Sequence, residues 1–159
     1  PPRASSRRQR QMCIRDRLED RGQGSAHFDT YLRGRFGRPT PRLDTGLALR
    51  GLATAAIDVS DGVLADAGHL AAASGLCLKV DPAALPLSEA LLAHPDREMV
   101  LELALAGGDD YELLFTLPPG AELPAGCTVV GGAVEGRGVD CPLQPSRKGY
   151  RHFDGGLSR

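Results

Sequence analysis

Interleaved helical and strand patterns predict an α/β or α+β domain in which helices pack on a sheet. Three observations carry that prediction. The stretch "AAIDVSD" at 55–61 alternates like the end of a half-buried strand and runs straight into Val63, Leu64, Ala67, Leu70 and Ala71 at helical spacing. Further strand-like runs recur downstream, each separated from the next by helical or turn-forming stretches. The chain has 159 residues, 42% of them hydrophobic and only 4% aromatic with no Trp, which suits one domain with an aliphatic core.

In chain order, "FDTYLRGRFGRPTPRLDTG" reads as a Pro/Arg-rich linker, and Asp44 or Thr45 is placed to cap a helix running through Leu47, Leu49, Leu52 and Ala53. A strand to Asp58 follows, then a helix from about 61 to 74 with Gly75 as its C-cap. "LCLKVD" at 76–81 is the next strand, "DPAALP" a loop, and residues 87–105 one or two helices broken near Pro95. Gly107 and Gly108 mark a tight turn before a strand from Tyr111 to Leu117. "CTVVGGAV" at 127–134 and "GYRHF" at 149–153 complete the strands, and the chain contains no internal repeat.

Bulk properties narrow the function classes. Cys13, Cys77, Cys127 and Cys141 form no C-x-x-C pair and no metal-ligand spacing, and Cys77 and Cys127 stand in apolar runs, as expected of a reducing cytoplasm. No stretch approaches the length of a membrane span, and the charged N-terminus lacks the apolar core of a signal peptide. Neither a membrane nor a nucleic-acid partner is expected. The net charge is −1, yet residues 1–42 hold eleven Arg against four acids, a local +7 that leaves −8 for the rest. That basic start is discounted as a nucleic-acid arm, because the chain opens on Pro1 and "QMCIRDR" at 11–17 reads like translated adapter DNA. Residues 1–17 are therefore expected to be a non-native or disordered segment, 18–42 a linker, and 43–159 the folded domain, with upstream chain missing.

The chemistry concentrates at two places. Asp58, Ser60 and Asp61, with Gly62 directly after them, fall at a strand-to-helix junction, where carboxylates are costly beside a core. Such an acidic pair is either an ordinary helix N-cap or a cation site. Downstream, "GGDDYELLFTL" adds Asp109 and Asp110 at a second tight turn. Asp66 and His69, one and two turns down the helix, read as an outward Asp and a histidine covering the core. No Ser-His-Asp arrangement, reactive-cysteine context or G-x-x-x-x-G-K-[ST] phosphate loop is found, which removes hydrolase and P-loop readings.

"RPTPRLDTGLALRGLATAAIDVSDGVLADAGHLAAASG", "LALAGGDDYELLFTLP" and "GYRHF" together resemble, in order and separation, the C-terminal half of the thiamine-monophosphate kinase family, from about Arg38 to Phe153. The D-x-S-D-G junction alone is shared with the wider aminoimidazole ribonucleotide synthetase superfamily. The resemblance implies a three-layer α/β/α sandwich with a mixed sheet, one domain of a two-domain subunit in a homodimer. It implies ATP-dependent phosphorylation of thiamine monophosphate to thiamine diphosphate with Mg²⁺. Asp58 and Asp61 match the family's magnesium ligands, Ser60 an ATP contact, and Asp109 a substrate contact where Glu is usual, so its carboxylate is one methylene shorter. Gly62 would keep the helix start open to phosphate oxygens. Tyr150 of "GYRHF" matches a position near the thiamine moiety, either stacking on the cationic ring or serving as a core aromatic of a strand. Asp110, Tyr111 and Glu112 belong to the motif without an assigned chemistry. The acceptor is an anionic phosphate oxygen, so positioning and charge neutralisation suffice without a strong general base. The competing readings are another ATP-using enzyme of the superfamily and a non-catalytic ligand-binding module.

Overall fold

The computed structural model describes residues 3–7 and 26–145. Its elements in chain order are β1 (Arg3–Arg7), α1 (Ala26–Gly37), α2 (Leu43–Ala48), β2 (Ala55–Val59), α3 (Val63–Ser74), β3 (Cys77–Val80), a 3₁₀ turn at Pro82–Ala84, α4 (Glu89–Leu92), α5 (Arg97–Ala106), β4 (Glu112–Leu117), β5 (Cys127–Val134) and β6 (Gly138–Asp140). Among the described residues the strands form one sheet in the order β2-β4-β1-β5-β3-β6. It is mixed: β3 pairs parallel with β6, and the remaining pairs are antiparallel.

The strand β4 shows why the sheet needs cover on both sides. Successive side chains of a strand point to opposite faces. Leu114 enters the main core with Val59, Val63, Ala67, Leu70, Val100 and Leu103 from β2, α3 and α5. Phe115 and Leu117 enter a second, smaller core with Leu49, whose edge is closed by Leu52, Ala53 and Leu123. The result is the layered α/β arrangement expected, with unequal layers: α3 and α5 on one face, the short α2 and loops on the other. In α3, Val63, Ala67, Leu70 and Ala71 are buried at i, i+4, i+7 and i+8, and Gly75 ends the helix at φ 65°, as its left-handed C-cap role requires.

Several elements differ from the sequence expectation. Residues 26–37 of the stretch read as a linker form α1, because Tyr31 and Leu32 find an apolar partner in Ala90 and no proline interrupts the run before Pro39. Neither Asp44 nor Thr45 caps α2. The N-cap is Arg42, whose guanidinium is committed to Glu112, and the helix stops at Ala48 so that Leu49, Leu52 and Ala53 can turn onto Phe115 and Leu117. Tyr111 stands outside β4 with a φ of 49°, which no regular strand accommodates. β6 had no signal beyond the turn-forming glycines around it. Residues 3–7, inside the segment expected to be non-native or disordered, are placed as β1, held by main-chain pairing to β4 and β5. The "GYRHF" strand lies outside the described residues.

Candidate active site

The site is built where two loops cross. The first leaves β2 at Val59 and enters α3 at Val63; the second leaves α5 at Ala106 and enters β4 at Glu112. Their main chains are bonded together: the Asp109 N–H donates to the Ser60 carbonyl at 2.8 Å, and the Tyr111 N–H to the Val59 carbonyl at 2.8 Å. Glycine makes this crossing possible. A Cβ on Gly108 would stand 2.3 Å from the Ser60 oxygen, and one on Gly62, which has a φ of 114°, would stand 2.8 Å from the Ala106 carbonyl carbon. The space beside Gly62 is thus taken by the backbone of the second loop, where the sequence suggested room for a phosphate.

The helix-cap reading of the first loop fails, because the N-cap position is Gly62 itself and neither Asp58 nor Asp61 occupies it. Asp58 sits on the exposed face of β2, a strand at the edge of the sheet, and Asp61 is half-buried. Asp66 is what shapes the loop. Far from pointing outward, it is 2% exposed, and its Oδ2 accepts the Ser60 N–H at 2.9 Å and the Asp61 N–H at 3.1 Å. Its position was legible after the fact: residue 66 falls i+3 from Val63 and i−4 from Leu70, on the inward face of α3. His69, expected over the core, is exposed.

Burial pushes the Asp66 carboxyl above the ordinary value of 3.8, against the pull of the Asp61 and Ser60 amides. The sign follows: a raised folded-state value favours the protonated form on folding, so this stabilisation is full below 3.8 and is lost as pH rises through the folded value. Asp66→Asn keeps one acceptor oxygen and removes the titration. Urea midpoints of parent and variant are expected to diverge as pH is raised from below 3.8 to neutrality, the variant gaining relative to the parent. A constant difference across that range would assign Asp66 a purely geometric part.

In the second loop the chain alternates outward and inward. Asp109 and Tyr111 are exposed, whereas Asp110 and Glu112 are 0% and 1% exposed. Both outward residues take left-handed backbone angles, φ 64° and 49°, rare for anything but glycine. The Tyr111 hydroxyl donates to Asp109 Oδ1 at 3.3 Å. The Asp109 carboxylate, and after it slight burial, that hydrogen bond and Asp58, hold the Tyr111 phenol above its usual range. Asp58, from β2, and Asp109, from the second loop, therefore act on one ring. Glu112 has a structural duty: its carboxylate takes both Nε (2.9 Å) and Nη2 of Arg42, with Arg35 Nη2 at 3.5 Å.

The donor set suits a hard cation, since Mg²⁺ takes oxygen ligands and carboxylates dominate here. Asp61, Asp66 and His69 also bring one ligand atom each to within 4.8 Å of one another. The structure thus brings Asp58, Ser60, Asp61 and Asp109 to one crossing, whereas Tyr150 lies outside the described residues. Among the described residues no helix is long and apolar enough to cross a membrane.

A mixed sheet with helices packed on it and two bonded acidic loops at its edge defines a domain of the aminoimidazole ribonucleotide synthetase-like fold. No protein-family model matches the chain. Among curated proteins it is 49% identical over 105 residues to the thiamine-monophosphate kinase of Salmonella typhimurium, covering 66% of this chain and 31% of that one. Among solved structures it superposes on thiamine-monophosphate kinase from Stenotrophomonas maltophilia K279a with a TM-score of 0.80 at 35% identity, covering 91% of this chain and 51% of that chain. The AaThiL complex with AMPPCP and TMP gives a TM-score of 0.80 at 32% identity, over 96% of this chain and 51% of that one. The likeness to thiamine-monophosphate kinases runs over most of this chain. The chain spans about a third to a half of the length of the relatives it matches.

Proposed function

We propose that this chain is part of an enzyme that phosphorylates thiamine monophosphate to thiamine diphosphate with ATP. The observation that carries the proposal is the crossing of the two loops, which gathers Asp58, Ser60, Asp61 and Asp109 in a chain similar to AaThiL, a protein seen with AMPPCP and TMP. Residues 43–159 are read as the C-terminal domain of the kinase, with an ATP- and Mg²⁺-binding domain supplied by the rest of the protein, a cytoplasmic homodimer. On this reading the 159-residue chain alone is inactive.

Asp58 and Asp61 would hold Mg²⁺, which neutralises phosphate charge in phosphoryl transfer. Ser60, whose carbonyl and amide are fixed by Asp109 and Asp66, presents its hydroxyl to the nucleotide. Asp109 orients the acceptor, directly or through a water that makes up for the shorter side chain. Tyr150 is assigned to the thiamine moiety. The acceptor oxygen is already anionic, so what these residues supply is alignment and a fixed electrostatic setting.

The test is Asp58→Asn in the full-length kinase that carries these residues. The substitution keeps shape and removes one charge from an acidic cluster. It is expected to abolish most Mg²⁺-dependent transfer while leaving metal-free stability equal or up to about 1 kcal/mol higher. Mg²⁺ with a non-hydrolysable ATP analogue should raise the melting temperature of the parent by mass action and that of the variant much less. Parental turnover and a parental cation-dependent shift in the variant would remove Asp58 from the ligand set.

A further inference from the structure

Tyr111 is expensive where it stands. A bulky residue in the left-handed region is strained, and its φ is 49°. The core does not repay that cost, since the side chain is 45% exposed while both neighbours in sequence are buried. The conformation is imposed from outside: the Tyr111 N–H is fixed to the Val59 carbonyl at 2.8 Å, the Asp109 N–H to the Ser60 carbonyl at 2.8 Å, and Glu112 is anchored by Arg42. With both ends held, the Tyr111 hydroxyl donates to Asp109 Oδ1 at 3.3 Å.

We propose that Tyr111 is a positioning residue for the phosphate acceptor, acting through Asp109: its hydroxyl fixes the orientation of that carboxylate, and the strained backbone at both positions exists to bring the two side chains together on the outer surface of the loop. The inference rests on the substrate reading of Asp109 given above. Asp109 is exposed and on a short side chain, and an exposed carboxylate without a fixed partner samples several rotamers. A neutral phenol is the fitting partner, because it donates to the carboxylate without cancelling the negative charge that the cationic ring of thiamine monophosphate would meet.

The experiment uses the full-length kinase with Tyr111→Phe, Asp109→Asn and the double variant, reading KM and kcat for thiamine monophosphate, its equilibrium binding without ATP, and the melting temperature. Tyr111→Phe is expected to raise KM about fivefold, equivalent to about 1 kcal/mol, with kcat and melting temperature unchanged. In the Asp109→Asn background the same change should add little, because the two residues work as one unit. A parental KM in Tyr111→Phe, full additivity in the double variant, or a fall in melting temperature accompanied by unchanged KM would each overturn the proposal. A parent that neither binds nor phosphorylates thiamine monophosphate would instead overturn the functional reading itself, and this inference with it.

Discussion

Arg42→Met is expected to destabilise the chain by about 3–5 kcal/mol, because it strips a buried carboxylate of its main partner. Glu112 has a side chain only 1% exposed, and Arg42, at 10%, gives it two hydrogen bonds in the fork geometry that a guanidinium offers a carboxylate. Arg35 still stands beside it after the substitution, with its Nη2 at 3.5 Å. One cation at that spacing does not restore the lost pair. Small domains are stable by about 5–15 kcal/mol, so the variant should stand close to its unfolding threshold. The double change Arg42→Met with Glu112→Leu removes both charges together and should recover much of the loss, since an apolar pair of similar volume replaces a buried ion pair at little cost. Urea unfolding of the three proteins reads this out directly. A single-variant loss below about 1 kcal/mol would mean that the pair behaves like one at the surface.

Gly108→Ala is expected to cost about 2–4 kcal/mol, combining overpacking with a lost hydrogen bond. The new methyl group would lie 2.3 Å from the Ser60 oxygen and 3.3 Å from its carbonyl carbon. Relief by side-chain movement is impossible, because the obstacle is backbone. The Ser60 carbonyl is also the acceptor for the Asp109 N–H, so pushing it away opens the crossing that assembles the site. The internal control is Gly46→Ala: Gly46 lies within α2 with nothing within 4 Å of the added Cβ, and alanine there should be neutral or stabilising by about 0.5–1 kcal/mol. Thermal melts that fail to separate the two alanines would refute the close approach of the loops.

Much of the architecture was readable because periodicity encodes it. The inward stripe of α3 and the αL glycine after it follow from local rules, as do the break near Pro95 and the strands β2 to β5. What escaped was fixed by partners distant in sequence. Arg42 became an N-cap without a capping side chain because Glu112, 70 residues away, holds it. Asp66 looked like a solvated acid because its role, bonding the amides of the preceding loop, appears only once the turn at Gly62 folds that loop back onto it. At the site, the acidic pairs announced themselves by composition, and Asp58, Ser60, Asp61 and Asp109 were named from the motif. Their meeting was not written in either motif alone. It depends on β2 and β4 pairing so that Val59 stands opposite Glu112, which draws the loops beyond both strands together. The small residues at Gly62 and Gly108 were visible, but only the crossing shows what they make room for.

The inward-facing amides of Asp109 and Tyr111 also set the tempo of the site. Loops are ordinarily the segments that open first, and their backbone protons exchange with solvent long before the core unfolds. Here those two N–H groups are spent on the carbonyls of Ser60 and Val59, at the end of a sheet strand, so the loop cannot open without unpairing from β2. Exchange of those two amides is therefore expected to follow the opening of β2, while the side chains of the same residues face water. On the proposed kinase reading, substrates would come and go by side-chain rotation or by movement of the domain as a whole, and a slow opening step would lie outside this loop.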